Sequence, residues 1–281
     1  RRFGLSALPS IPGGGYSSPG SIPTGAGTRA RIPPVNQLGT LVFIPAFDEE
    51  ESITAVIEGV RENIPGAPVL VVDDGSDDGT ARTARAAGAI VAPLPVNQGL
   101  GAALQTGYLF GLKHGFEKFA HLDGDGQHPP AEVVRLLAEV EADRADLVIG
   151  SRYRDPDLAE AEDYRPSRAR RIGTNLFRYA LSFATRQRFT DTTSGMRAGN
   201  RRAMELFGEY YSPDFAEVES LQRAVRAGLR VEEVPVRMLP REQGESFLSP
   251  VKSAFFIFKS LIVILVGMFR PRHPDGAGSD R

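Results

Sequence analysis

The chain has 281 residues, 41% of them hydrophobic and 24% charged, which is enough apolar side chain to bury one substantial core. A formal net charge of -2 lacks the basic excess that nucleic-acid backbones demand of a partner. With no cysteine, disulfide frameworks, thiolate metal sites and cysteine nucleophiles are excluded.

No continuous apolar run follows Arg1 and Arg2, so the opening residues do not read as a secretory signal. Residues 9–34 are Gly, Pro, Ser and Thr with scattered Arg, too little apolar surface to offset ordering entropy, and a disordered arm is expected over 1–39. A folded domain is expected over 40–250. It opens with Thr40-Leu-Val-Phe-Ile44, a short apolar run closed by Pro45, as in a strand buried on both faces. Ile53, Val56, Ile57 and Val60 then recur at helical spacing, with Glu49, Glu50 and Glu51 near the helix start where the dipole favours negative charge. Val69-Leu-Val-Val72 reads as a second strand, and Asp77 or Asp78 is placed to cap the helix that runs through Thr83 and Ala87. Strands over 89–92, 119–122 and 147–149 alternate with helices over 99–114 and 130–142. Beyond Tyr153 come an Arg-rich stretch (Arg165, Arg168, Arg170, Arg171), a helix over 172–184, a loop over 190–197, a helix over 215–227 and a strand over 231–238.

Strands alternating with helices predict an α/β fold with a mainly parallel sheet, whose ligands bind outside the carboxyl ends of the strands. Asp73-Asp74 ends the second strand, Asp123-Gly-Asp125 the fourth and Gly150-Ser-Arg152 the fifth, so three polar clusters converge on one edge.

Asp123-Gly124-Asp125-Gly126-Gln127 sets two carboxylates and an amide oxygen at alternate positions of a tight turn. Three hard oxygen ligands suit Mg2+ or Mn2+, which keep positions open for phosphate oxygens. A solvated Asp-rich turn is the plainer reading of such a motif taken alone. Pro45-Ala-Phe-Asp-Glu-Glu50 and Asp73-Asp74-Gly75-Ser76-Asp77-Asp78-Gly79-Thr80 read singly as a strand stop and a capped turn; together they offer the aromatic face of Phe47 and carboxylate acceptors for the N–H and O–H groups of a nucleoside. Gly99-Leu-Gly101 lacks a third glycine and follows the third strand, which argues against a dinucleotide fingerprint.

Taken in order, Pro45-Ala-Phe-Asp-Glu49, Val72-Asp-Asp-Gly-Ser-Asp-Asp-Gly-Thr80, Asn97-Gln-Gly-Leu-Gly101, Leu122-Asp-Gly-Asp-Gly-Gln-His128, Gly150-Ser-Arg-Tyr153, Asp191-Thr-Thr-Ser-Gly-Met-Arg197 and Glu233-Val-Pro235 resemble glycosyltransferase family 2, in particular the polyprenol-phosphate sugar transferases. The resemblance spans about residues 40–259 and implies the GT-A fold. It implies that Pro45, Phe47, Glu49 and Asp73, with Asp74 beside them, line a nucleotide pocket, and that Asp123 and Asp125 meet metal and diphosphate with Gln127 completing the metal shell. Arg152 and Arg168 would face an anionic acceptor or the leaving phosphates. Two departures stand out: Asp48 occupies a position usually Asn, and Arg241-Glu-Gln-Gly244-Glu-Ser246 follows the family's Arg-x-x-Gly-x-Ser pattern loosely.

The expected reaction is inverting displacement at the anomeric carbon of a nucleotide diphosphate sugar, with Arg152 and Arg197 adding fixed positive charge. A hydroxyl acceptor needs a general base, for which Glu217 and Asp214 are candidates; a polyprenyl phosphate is already anionic and needs none. Residues 251–270 are rich in Phe, Ile, Leu and Val but shorter than a spanning helix and carry Lys252 and Lys259, so they predict an amphipathic helix on the inner face of the cell membrane, followed by a disordered tail over 271–281. The other expectation for that helix is burial in a protein partner, a small membrane protein or a second copy of the chain. The competing classes are a nucleotidyltransferase, which should carry a Gly-rich basic loop where this chain has Pro45-Ala-Phe-Asp, and a non-catalytic sugar-binding protein, which should have lost a metal ligand.

Overall fold

The structure is a computed structural model that describes residues 39–155, 168–212 and 216–239, together with 259, 262 and 264–266; within 168–174 and at 216 it describes the backbone alone. Its frame is a seven-stranded sheet: β1 (Thr40–Ala46), β2 (Val69–Asp73), β3 (Ile90–Pro93), β4 (Lys118–His121), β5 (Leu147–Ser151), β6 (Arg197–Asn200) and β7 (Val231–Pro235). Their spatial order is β3-β2-β1-β4-β6-β5-β7, with every pairing parallel except the two made by β6. The helices are α1 (Ile53–Asn63), α2 (Thr80–Ala86), α3 (Leu100–Lys113), α4 (Pro130–Glu141), α5 (Arg168–Thr185), α6 (Arg201–Glu209) and α7 (Ala216–Arg226).

Both faces of the sheet are covered, which is why its central strands are continuous apolar runs rather than alternating ones. In β1, Leu41 and Phe43 point to one face, where Leu104 and Tyr108 of α3, Phe207 of α6 and Leu221 of α7 complete the core. Val42 and Ile44 point to the other, against Val56 and Ile57 of α1 and Val133 and Leu136 of α4. Helix α3 comes close at Gly107, where a Cβ would lie 2.4 Å from the Phe43 ring.

The expected strands and helices through β5 are present with ends shifted by a residue or two. Helix α2 is not capped by a side chain at Gly79; Asp78 instead accepts the N–H of Thr80 at 2.8 Å. The larger difference is that the expected loop over 190–197 ends one residue early: Arg197 opens strand β6, which runs on to Asn200 antiparallel between β4 and β5, with Arg197 opposite both His121 and Ile149. A small residue is needed there, since a Cβ on Gly199 would lie 2.7 Å from the Phe119 ring. Asn200 then caps α6 by accepting the Ala203 N–H at 3.1 Å. Because β6 starts at the carboxyl edge of its neighbours, the loop before it is carried to that edge.

The arm up to residue 38, the 241–247 motif, Asp214, the tail 271–281 and most of 251–270 lie outside the described residues. Of the last segment, residues 259, 262 and 264–266 are helical; Ile264 is buried with Phe177 and Val218, and its carbonyl accepts from Gln222 Nε2 at 2.9 Å. Among the described residues no helix is long and apolar enough to cross a membrane.

Candidate active site

The turn after β4 is built by short-range bonds. The Asp123 N–H donates to Nδ1 of buried His128 at 3.0 Å, closing the 123–128 loop. Gln127 donates its backbone N–H (3.0 Å) and its side-chain Nε2 (2.8 Å) to the Asp125 carboxylate, so it holds that carboxylate in place. Gly126 takes the left-handed conformation the turn requires, at φ 76°. The Asp123 carboxylate, by contrast, receives no hydrogen bond among the described residues, and it rests on Gly195, where a Cβ would lie 2.7 and 2.8 Å from its two oxygens. Its side chain keeps 38% of its surface open at the mouth of the site, but protein encloses its base. That burial pushes its carboxyl above the ordinary range; Asp125 adds to the push, while His128, Arg152 and Arg197 oppose it.

The loop after β1 is tied to this turn through Ser52, whose Oγ lies 2.9 Å from Glu49 Oε2 and 2.7 Å from the Gly124 carbonyl. The Glu49 N–H donates to Thr80 Oγ1 at 2.8 Å. Asp48, in the left-handed region at φ 55°, donates its N–H to Ser76 Oγ and accepts the Asp77 N–H, each at 3.0 Å. Asp here clamps the first two acidic loops together. Asp73 Oδ1 accepts from Ser76 N–H and Oγ, while Oδ2 has no donor among the described residues. Asp74 spends both oxygens on the N–H groups of Gln98 and Gly99, each at 2.8 Å, so it fixes the entry to α3 and leaves Asp73 as the carboxylate able to meet a nucleoside. Phe47 is 42% exposed beside them, a ring face open for stacking.

The basic half faces Asp123 from β5 and β6. Arg152 forms a bidentate pair with fully buried Asp191 (Nε 2.7 Å, Nη2 2.8 Å), and Nη2 also donates to Thr193 Oγ1 at 2.9 Å. Burial alone would raise the Asp191 carboxyl; Arg152 and the Thr193 N–H hold it below its ordinary range. Arg197 is fully buried and, among the described residues, donates only to neutral acceptors: the Ser194 carbonyl (3.2 Å), Ser220 Oγ (2.6 Å) and the Glu217 carbonyl (3.0 Å). What it lends the site is therefore field, felt at Asp123, rather than contact with a ligand. The Glu217 carboxyl is pushed up by burial against the opposing charge of Arg197, and it senses Asp123. The Arg168 backbone opens α5; its side chain lies outside the described residues. Sequence reasoning passed over Ser52, His128, Gly195, Asp191 and Glu233 as supports of the site, although all but Ser52 lie within quoted motifs.

A GT-A-like sheet here carries paired acids at one strand end and arginines opposite, and residues 41–207 match the model of glycosyl transferase family 2, so the chain belongs to that family and is a glycosyltransferase. Over 244 residues it is 34% identical to the polyprenol monophosphomannose synthase of Mycolicibacterium smegmatis, covering 83% of this chain and 89% of that protein. It is also 34% identical over 221 residues to the undecaprenyl-phosphate mannosyltransferase of Micrococcus luteus, covering 74% and 87%. In fold it is similar to the crystal structure of glucosyl-3-phosphoglycerate synthase from Mycobacterium tuberculosis in complex with Mn2+, uridine diphosphate and phosphoglyceric acid, with a TM-score of 0.60, 23% identity and coverage of 84% of this chain and 80% of that one.

Proposed function

We propose that this enzyme transfers a hexose, with inversion, from a nucleotide diphosphate sugar to a polyprenyl phosphate, working as a peripheral protein on the inner face of the cell membrane. The observation that carries the reading is the Asp123 carboxylate, partly open and without a hydrogen-bond donor among the described residues, set beside Asp125 and opposite Arg152. Two neighbouring carboxylates of hard oxygen character, one of them lacking a proton donor among the described residues, fit a divalent cation such as Mg2+ or Mn2+. Asp123 and Asp125 would hold it, with Gln127 orienting Asp125, and when bound it would supply Lewis-acid stabilisation of the departing diphosphate.

Phe47 and Asp73 are suited to the base and ribose of the donor, and the Arg197 field favours negative charge near Asp123. Arg152 would bind the acceptor phosphate. A phosphate monoester, with a second pKa of about 6, is an anionic nucleophile at neutral pH and needs no base. Similarity to two polyprenyl-phosphate mannosyltransferases supports both the acceptor class and mannose as the sugar. The raised Glu217 carboxyl favours a second reading, in which it deprotonates a sugar hydroxyl.

The test supplies labelled GDP-mannose, UDP-glucose and UDP-N-acetylglucosamine with undecaprenyl phosphate or with oligosaccharides, in Mn2+ or in excess chelator. Label should pass into the lipid phase only with the cation, and Asp125→Ala should abolish transfer while leaving Tm nearly unchanged. Label entering only oligosaccharide, with turnover lost in Glu217→Gln, would replace the lipid-phosphate reading with the hydroxyl one.

A further inference from the structure

Glu233 faces the wrong way for a carboxylate on an outer strand. It lies on β7, the last strand of the sheet, opposite Ile149 of β5, and its side chain is only 3% exposed while neighbouring Glu232 points to solvent. Its oxygens accept the Thr190 N–H at 2.9 Å, Thr190 Oγ1 at 2.9 Å and the Asp191 N–H at 2.8 Å. Arg154 approaches at 3.8 Å from the outer side. The residue whose backbone it grips, Asp191, turns its own carboxylate to the Arg152 fork, and the Thr193 N–H and hydroxyl steady that carboxylate at 3.2 and 3.3 Å. A continuous chain of bonds therefore runs from Glu233 through the 190–191 backbone and the Asp191 side chain to the Arg152 guanidinium.

Two carboxylates side by side in a buried position repel and are costly to desolvate, so packing alone gives no reason for the arrangement. What the pair accomplishes is orientation. A guanidinium is planar, and fixing its Nε and Nη2 edge on one carboxylate fixes the plane of the whole fork.

We propose that Glu233 is a positioning residue for the acceptor: it locks the 190–193 loop so that Asp191 aims Arg152 at the acceptor phosphate. This rests on the reading of Arg152 as the acceptor-phosphate ligand, and the experiment separates the two. Glu233→Gln keeps the size of the side chain but loses its charge and one of its acceptor oxygens. Thr190→Val removes a single hydroxyl donor and serves as the milder variant if the first does not fold.

Each full-length variant is assayed with undecaprenyl phosphate and the nucleotide sugar selected by the panel above, with and without Arg152→Ala. Expected is a rise in KM for undecaprenyl phosphate on the order of ten- to a hundredfold in Glu233→Gln, with KM for the nucleotide sugar unchanged. Thr190→Val should shift the same parameter in the same direction by less, and neither change should add to the effect of Arg152→Ala. Equal rises in both KM values, or effects that multiply with Arg152→Ala, would show a purely structural role and overturn the proposal. An acceptor effect of Arg152→Ala with none from Glu233→Gln or Thr190→Val overturns the positioning role alone. Unchanged acceptor dependence in Arg152→Ala overturns the Arg152 reading and the positioning role with it.

Discussion

Gly195 offers a way to move the carboxylate proposed to hold the cation without touching it. Its backbone is outside the left-handed region, so alanine is conformationally acceptable there, and the whole effect of Gly195→Ala is steric. The new methyl would lie 2.7 and 2.8 Å from the Asp123 oxygens, short of an ordinary C···O contact of about 3.3 Å by roughly half an ångström. Metal–oxygen distances tolerate deviations of only about 0.2 Å, so a carboxylate pushed back that far no longer matches the cation. Small disturbances of the groups that support a metal ligand typically weaken metal binding by about ten- to a hundredfold, which is about 1.4 to 2.8 kcal/mol. The assay is the Mn2+ dependence of turnover at saturating substrates, beside Mn2+ calorimetry with nucleoside diphosphate present and thermal unfolding without it. Yielding by the loop instead would strain the Arg197 bond to the Ser194 carbonyl and lower Tm as well. Wild-type Mn2+ affinity together with a wild-type Tm in Gly195→Ala, which leaves neither the carboxylate nor the loop displaced, would refute the placement of the cation on Asp123.

Two further outcomes are expected. Asp146 is buried, which alone would raise its carboxyl, yet bonds from Arg230 and Asn200 bring it down to about 2, below its unfolded value. Its contribution to stability is therefore complete above about pH 4 and is lost as the pH falls toward 2; urea unfolding across that window should show this slope and Asp146→Asn should lack it, an equal slope in both refuting the assignment. The exposed Ile262, Leu265 and Val266, in a segment flanked by basic residues, should bring the protein up with anionic vesicles on flotation, and deletion of residues 251–281 should leave it behind; a full-length chain that stays in the soluble fraction would count against membrane contact.

The parts of the fold that could be read in advance are those in which one segment is buried on both faces. β1 and β2 are such segments, since every residue of β2 is buried and all but the first of β1, and no pattern other than a continuous apolar run satisfies that environment. Strand β6 carries none of this signal. Arg-Ala-Gly-Asn has no β-branched residue, and its place is set by small side chains fitting against Phe119 and by an arginine buried through its neighbours' oxygens. Helix α6 was legible and passed over, since Asn200 is a good cap and Ala203, Met204 and Phe207 lie on one buried face.

The same division runs through the site. Asp73, Asp123 and Asp125 end strands or follow them directly, so their placement at the carboxyl edge needs only the strand and the direction of the sheet. The basic half depends on β6 reversing the chain, which brings residues 190–196 back to Asp123 from far along the sequence and sets Gly195 against its carboxylate. Asp191 and Glu233 were hidden for a related reason: a carboxylate in a loop, or one of two adjacent glutamates on a strand, is ordinarily solvated, and only tertiary contact shows that these two turn inward. Without β6 this edge would lack Arg197, and Arg152, which follows β5, would lack the Asp191 carboxylate that holds its guanidinium. With it, Arg152 and Arg197 stand across from Asp123 close enough to act on its charge, which is the arrangement the proposed donor diphosphate and anionic acceptor would require.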